Sequence, residues 1–171
     1  MNGKLSQGLL LSYVGLPSAW AEGEYAEIPF AVEKRLDKAL SVIKDNTVGG
    51  VLYLTGDGGQ VTKKLLDNFV SLTDLKGIDF AQYFQNKFSK EPTASELLAK
   101  KYTFVYNVGI EEALKKDYSA QILKSIIKRV TDQNCWVFLV SEVSKTDFER
   151  DYGIHIEHSI RLPNKPQVEL F

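Results

Sequence analysis

With Cys135 as its single cysteine, the 171-residue chain can build neither an internal disulfide framework nor a zinc site from cysteines of its own. Cys135 opens the apolar run CWVFLV, where a buried, unreactive thiol is expected. The two histidines, His155 and His158, fall in a segment that reads as a strand, where a spacing of three points them to opposite faces. No metal site is therefore expected. No apolar run approaches the ~20 residues needed to cross a bilayer. The N-terminal stretch MNGKLSQGLLLSYVGL is weakly charged and lacks a clear small-residue cleavage site, which argues against a signal peptide and for a cytoplasmic protein. An excess of either charge is missing as well. Lys and Arg number 21 against 22 Asp and Glu, a net charge of -1 that speaks against a broadly basic nucleic-acid surface. No Ser-His-Asp or Cys-His arrangement with recognisable spacing is present, so no catalytic residue is assigned.

What is present is a globular composition, 44% hydrophobic and 25% charged, in a chain long enough to bury a real core. A single domain is expected over residues 1–171, with an irregular lead-in over 1–29, a core over 30–162 and a tail over 163–171. Turn signals at Gly15, Pro17, Gly23 and Pro29 mark the lead-in. Apolar spacing of three and four predicts helices over 30–44, 61–70 and 118–131, the last with Ile122, Ile126, Ile127 and Val130 in one stripe. On the 61–70 helix, Val61, Leu65, Leu66 and Phe69 face inward and Lys63, Lys64 and Asp67 outward. Shorter helices are expected over 80–88, 94–101 and 145–152. Apolar, β-rich runs predict strands over 51–54, 102–108 and 136–140, with weaker ones over 72–80 and 154–162. Strands alternating with helices at this spacing imply a three-layer α/β domain, its central sheet of about five strands mainly parallel. Such sheets bind ligands at the carboxyl ends of their strands, here residues 55–62, 107–112 and 141–146.

At the first of these edges a strand runs into Gly56-Asp57-Gly58-Gly59 and then a helix, the layout of a phosphate-binding P-loop. The pattern of glycine, four residues, then Gly-Lys-Ser/Thr fails in both registers. From Gly56, the glycine, lysine and hydroxyl positions hold Val61, Thr62 and Lys63. From Gly58, Lys64 takes the lysine position, but Lys63 replaces the glycine and Leu65 the hydroxyl. Thr62 brings no charge to a phosphate, and the Lys63 ammonium cannot ligate Mg²⁺. Backbone N–H groups of Gly56, Gly58 and Gly59 at a helix start can still hold an anion, although Asp57 works against it.

Further segments line up in order. Gly15-Leu16-Pro17, the run Tyr53-Leu54-Thr55-Gly56, FAQYFQNKF over 80–88, FVYNVGIE over 104–111, SAQILKSIIKR over 119–129, FLVSEVS over 138–144 and the stretch 151–162 follow one another at family-like spacing. Together they resemble the AAA+ domain of bacterial replicative-helicase loaders and transposon helper ATPases, the DnaC/DnaI/IstB type, over about residues 13–162. The resemblance implies an AAA+ P-loop fold and aligns the two Walker B acids with Tyr106 and Asn107. It aligns the sensor-1 asparagine with Glu142 and the trans-acting arginine with His155, with irregular spacing to Ser159-Ile160-Arg161. None of these replacements supplies the charge that nucleotide hydrolysis needs, and losing one can cost several orders of magnitude in rate. The resemblance also leaves no room for a C-terminal helical lid or an N-terminal helicase-binding domain.

The implied function is that of a pseudo-ATPase: no enzyme, no cofactor and no metal. It would be an adaptor or regulator in DNA replication, repair or mobile-element maintenance that binds a loader, helicase or related ATPase. Two rivals stand beside it. One is a structural subunit like the RecA-type recombinase paralogues, acting in a DNA-repair heteromer. The other is a weak ATPase with an unconventional site built from Thr62, Lys63 and Glu111/Glu112, although those acids also suit a solvated helix start. Lys115, Lys116, Lys124, Lys128 and Arg129 are the candidate nucleic-acid contacts, against the plainer reading of a solvated helix face. Tyr13, Trp20 and Tyr25 are either partner anchors or lead-in packing. Oligomerisation is compatible with all of these.

Overall fold

A computed structural model of the chain describes residues 11, 12, 14–17, 20, 29–45, 48–56, 59, 61–64, 74–82, 100–109 and 116–162. The elements are helix α1 (Phe30–Asp45), strands β1 (Gly50–Thr55), β2 (Leu75–Asp79) and β3 (Tyr102–Val108), helix α2 (Lys116–Asp132), strand β4 (Trp136–Ser141), helix α3 (Lys145–Tyr152) and strand β5 (Ser159–Arg161). The strands form one five-stranded sheet in the order β2-β3-β4-β1-β5, and every pairing is parallel. The expected three-layer α/β architecture is what the chain adopts.

Side chains alternate across this sheet with period two, and the two faces feed two cores. Leu52, Leu54, Tyr102, Phe104, Trp136, Phe138 and Val140 join Leu36, Leu40 and Ile43 of α1 on one face. Tyr53, Val105, Val137 and Leu139 meet Ile122, Leu123, Ile126 and Val130 of α2 and Phe148 and Tyr152 of α3 on the other. Because both faces are covered, β4 is buried along its whole length, which is why its sequence reads as an unbroken apolar run.

Local chemistry fixes the joints. Ser144 caps α3 by accepting the Asp147 amide at 3.2 Å, and Gly153 closes it in the left-handed conformation (φ 65°). Asn134 (φ 58°) ends α2 in the same way. Gly50 is required by space, since a Cβ there would stand 2.7 Å from the Trp136 ring. At the β2 edge, Gly15 and Gly77 cross so closely that a Cβ on either would lie 2.4 Å from the other's carbonyl oxygen. The Gly77 amide donates to the Val14 carbonyl at 2.8 Å, so the lead-in covers an edge strand that would otherwise be open.

Several expectations are corrected. Strand pairing in the last segment is confined to Ser159–Arg161 rather than 154–162, because Ile154 and Ile156 pack in the α2/α3 core while Ile160 joins the α1 core. The chain thus changes layer there, and His155 and His158 precede the strand. Lys100 and Lys101 are not helical. Ile127 and Cys135 are half-buried rather than buried, and burial still pushes the Cys135 thiol pKa up. Helix 61–70 is described only over 61–64. The rest of it, most of 80–88 and 94–99 lie outside the described residues.

Candidate functional site

Right-handed crossovers put helices on opposite faces when successive connections run in opposite directions along a sheet. The connection leaving β1 runs toward β2, and its first helical turn, 61–64, enters the α1 core through Val61. The connections leaving β3 and β4 run the other way and carry α2 and α3 on the far face. The paths part between β1 and β4, so the crevice where a doubly covered sheet binds ligands lies beyond Thr55 and Ser141. The sequence places its P-loop remnant at that point.

The crevice is closely filled among the described residues. Gly56 has φ 114°, and a Cβ there would meet the Leu162 carbonyl oxygen at 2.4 Å. The Leu162 amide donates to the Thr55 carbonyl at 2.7 Å, so the chain leaving β5 lies against the start of the loop. Ser141 Oγ donates to the Val108 carbonyl at 2.7 Å and accepts the Val143 amide at 3.0 Å. The Tyr53 hydroxyl donates to the Val143 carbonyl, and Val143 packs against Gly109 (φ 99°). Burial is the main reason that the Tyr53 phenol pKa is raised, with the Ser141 hydrogen bond opposing and the Asp147 and Glu142 charges adding.

The P-loop residues divide. Thr62 and Gly59 are buried, and Lys63 is exposed. Lys64 is not the outward side chain that the helical pattern suggests. It retains 18% exposure, and its Nζ lies 2.7 Å from Asp37 Oδ1 and 3.1 Å from Glu33 Oε1, both on α1. The Asp37 hydrogen bond is the main cause raising the Lys64 pKa, with burial opposing it. Asp57 and Gly58 lie outside the described residues.

The Walker B alignment is occupied differently again. Tyr106 OH donates to the Gly15 carbonyl at 2.7 Å, and its ring lies 5.4 Å from that of Trp20. Burial, with the Asp79 charge second, pushes its pKa up to about 12. Trp20 also packs edge-on against Phe104, so it is part of the lead-in's packing. Asn107 sits in a β-bulge: three steps along β3, from Val105 to Val108, match two along β4, from Leu139 to Ser141. Asn107 takes φ 60°, and its side chain is exposed.

The remaining candidates are scattered. Glu142 is exposed at the crevice rim. His155, also exposed, pairs with Glu149 at 3.1 Å on α3. Lys124, Lys128 and Arg129 are exposed on α2, but Lys128 pairs with Asp132 at 2.9 Å, and the neighbouring Arg150 pairs with Asp147 and Asp151. Acids therefore interleave that basic face. Lys115, Glu111, Glu112, Tyr13 and Tyr25 lie outside the described residues, and Lys116 begins α2. Among the described residues no group of three acidic, His or Cys side chains is placed to hold a metal ion, and no helix is long and apolar enough to cross a membrane. Sequence reasoning missed Glu33 and Asp37. Their i, i+4 spacing marks a paired acidic face on α1, but nothing local names Lys64 as its partner.

No family model and no curated protein matches the chain. Solved structures do. A protein of Streptococcus pyogenes serotype M3, provisionally assigned as a primosome component, superposes with a TM-score of 0.55 at 16% identity, covering 91% of this chain and 93% of that one. DnaI superposes with a TM-score of 0.53 at 11% identity, covering 85% and 87%. At such identities the likeness speaks for the fold, and it agrees with the order of segments read from the sequence. The chain is a three-layer α/β domain with the P-loop fold of DnaI.

Proposed function

We propose that this protein is a non-catalytic adaptor or regulator in DNA replication or mobile-element maintenance, a pseudo-ATPase that works by binding a loader, helicase or related ATPase. One observation carries the reading. Lys64, which the register from Gly58 places at the phosphate-binding lysine position, is held by two carboxylates of α1. An ammonium neutralised in this way has little charge left to offer a triphosphate. Tyr106 and Asn107 add to the argument, since neither can ligate Mg²⁺ as a carboxylate does. The replication setting is supported by what the two similar structures are called, DnaI and a primosome component.

Calorimetric titration of ATP with Mg²⁺ into the purified protein tests this reading. The expected result is no heat and no thermal shift at millimolar nucleotide. Binding in the micromolar range would replace the reading with a nucleotide-regulated switch. ATP turnover abolished by Lys63→Ala would make the protein an enzyme.

A further inference from the structure

A second opening lies at the other end of the sheet, where β1 and β4 begin. Helix α1 roofs a groove of about 420 Å³ lined by Ala39, Val42, Ile43, Leu52, Trp136 and Ile160. The volume falls in the range of roughly 300–1,000 Å³ typical of ligand sites, and an apolar lining with a few polar groups is their usual character. Arg35, Lys38, Glu157 and His158 also line it, and all four are exposed, so they form its rim. Two permanent cations and an imidazole thus face one carboxylate. Val42 is 56% exposed at the groove, on a helix that buries Leu36, Leu40 and Ile43. Trp136 is only 7% exposed, and its Nε1 is buried without a hydrogen-bond partner.

The strand beside the groove is an open edge. Strand β5 pairs with β1 alone, and no strand lies beyond it among the described residues. The Tyr53 amide bonds to the His158 carbonyl at 2.9 Å and the Leu162 amide to the Thr55 carbonyl at 2.7 Å. Backbone groups alternate along a strand, so those of Ser159 and Arg161 point away from β1. The Ser159 carbonyl already takes a 3.4 Å hydrogen bond from Arg35, which reaches across the groove mouth. An edge of this kind is a template for an added strand.

We propose that the groove and the outer edge of β5 dock an extended, acidic segment of a partner protein. The segment adds a strand beside Ser159–Arg161, inserts an apolar side chain beneath α1 toward Trp136, and sets its carboxylates against Arg35 and Lys38. Main-chain hydrogen bonds supply affinity in this mode and alternate side chains supply specificity. An apolar floor offers nothing to a nucleic-acid backbone, which argues for a peptide as the occupant. The proposal does not rest on the pseudo-ATPase reading, because it uses none of the P-loop or Walker B residues.

The test is selection from a display library of random ten-residue peptides on the full chain, with binders measured against Arg35→Glu/Lys38→Glu and, separately, Val42→Asp. All three positions are exposed, and unchanged circular dichroism and melting would verify that each variant folds. Enriched sequences are expected to alternate acidic with apolar or β-branched residues. Their affinity should drop at least about tenfold in the charge-reversed variant and weaken with added salt. The Ser159 and Arg161 amides should exchange more slowly with peptide bound. No enrichment would overturn the proposal, as would binders that hold equally to all variants. Self-association lost in the same variants would assign the groove to a second copy of this chain and overturn it too. Millimolar ATP in the same samples separates the two claims: nucleotide binding with intact peptide docking sinks the pseudo-ATPase reading alone.

Discussion

At the carboxyl edge of the sheet the polar groups of Tyr53, Tyr106, Ser141 and Lys64 all have partners within the chain. At the groove beneath α1, Trp136 Nε1 has none, and among the described residues the outward backbone of β5 meets only Arg35. The difference is instructive because the fold's usual ligand crevice is the first of these places, not the second. A side chain that completes a hydrogen bond inside the protein is no longer available to a ligand without the cost of breaking it. Among the described residues, these groups of the carboxyl edge are satisfied within the chain. The groove, with two permanent cations and one carboxylate on its rim above an apolar floor, has the character of a surface that expects company.

The largest effect should come from forcing a side chain into the sealed edge. Gly56→Ala places a Cβ 2.4 Å from the Leu162 oxygen at φ 114°. Backbone strain and overpacking together should cost about 3 kcal/mol. For a domain of this size that lowers the melting temperature by roughly 10 °C. Gly153→Ala is the matched control, since its nearest neighbour is 3.5 Å away and φ is 65°. It should cost only about 1 kcal/mol. Equal losses in calorimetry would mean that the edge is not packed as described.

Next in size is Tyr106→Phe, which removes the hydroxyl held by the Gly15 carbonyl. The expected loss is about 1–2 kcal/mol in urea unfolding, with faster proteolysis of the lead-in. The same phenol gives a pH signature. Its folded pKa stands near 12 against an ordinary 10.0. A raised folded value means stability that is complete below pH 10 and drains away as the pH climbs toward 12. Tyr106→Phe should flatten that alkaline decline, and an unchanged profile would assign the decline to the other raised phenols, Tyr53 and Tyr102.

Much of the scaffold could be read from the chain. The β3 and α3 bounds agree with those expected from the chain, and β4 differs only at Ser141. Such features are local: a run buried on both faces must be apolar throughout, and Ser144 and Gly153 announce a helix start and stop. What escaped was long-range or broke a local rule. The stretch over 154–162 looks like one strand because apolar residues recur in it, yet those residues serve two different cores. The bulge at Asn107 is invisible in YTFVYNV, because the extra residue shows only against β4. Lys64 reads as solvent-facing since its carboxylate partner Glu33 is 31 residues away, and Tyr106 reaches Gly15 across 91. The same limit applies to the candidate site. The residues that depart from the P-loop and Walker B patterns could be named from the chain, but the contacts that occupy them could not.

A smaller effect is expected from releasing Lys64. Glu33→Gln/Asp37→Asn leaves the ammonium without its carboxylates, both of which are about half exposed. Solvent screening should hold the stability loss below about 1 kcal/mol. The Lys64 pKa is raised in the folded protein, so this contribution is full below the ordinary lysine value and lost only as the pH rises past it. The sharper readout is nucleotide. If the clasp alone silences the loop, this double variant should gain measurable ATP binding by calorimetry. If titration stays flat, Tyr106, Asn107 and the packed Gly56 are sufficient to keep the crevice closed.

The smallest effect belongs to Glu149, which sits at neither end of the comparison and so serves to calibrate it. Its carboxylate accepts the Ile156 amide at 3.0 Å and lies 3.1 Å from His155 Nδ1. The Ile156 N–H is the main cause holding its pKa below the ordinary 4.5, with the Lys145 and His155 charges assisting against slight burial. A lowered folded value gives stability that is present above pH 4.5 and is lost as the pH falls through the lowered value. Glu149→Gln should therefore differ from the parent in urea midpoint at neutral pH and converge with it in acid. Convergence would identify the contribution as carboxylate charge at the turn where the chain changes layers. A gap that persists in acid would mean that Glu149 acts there by packing.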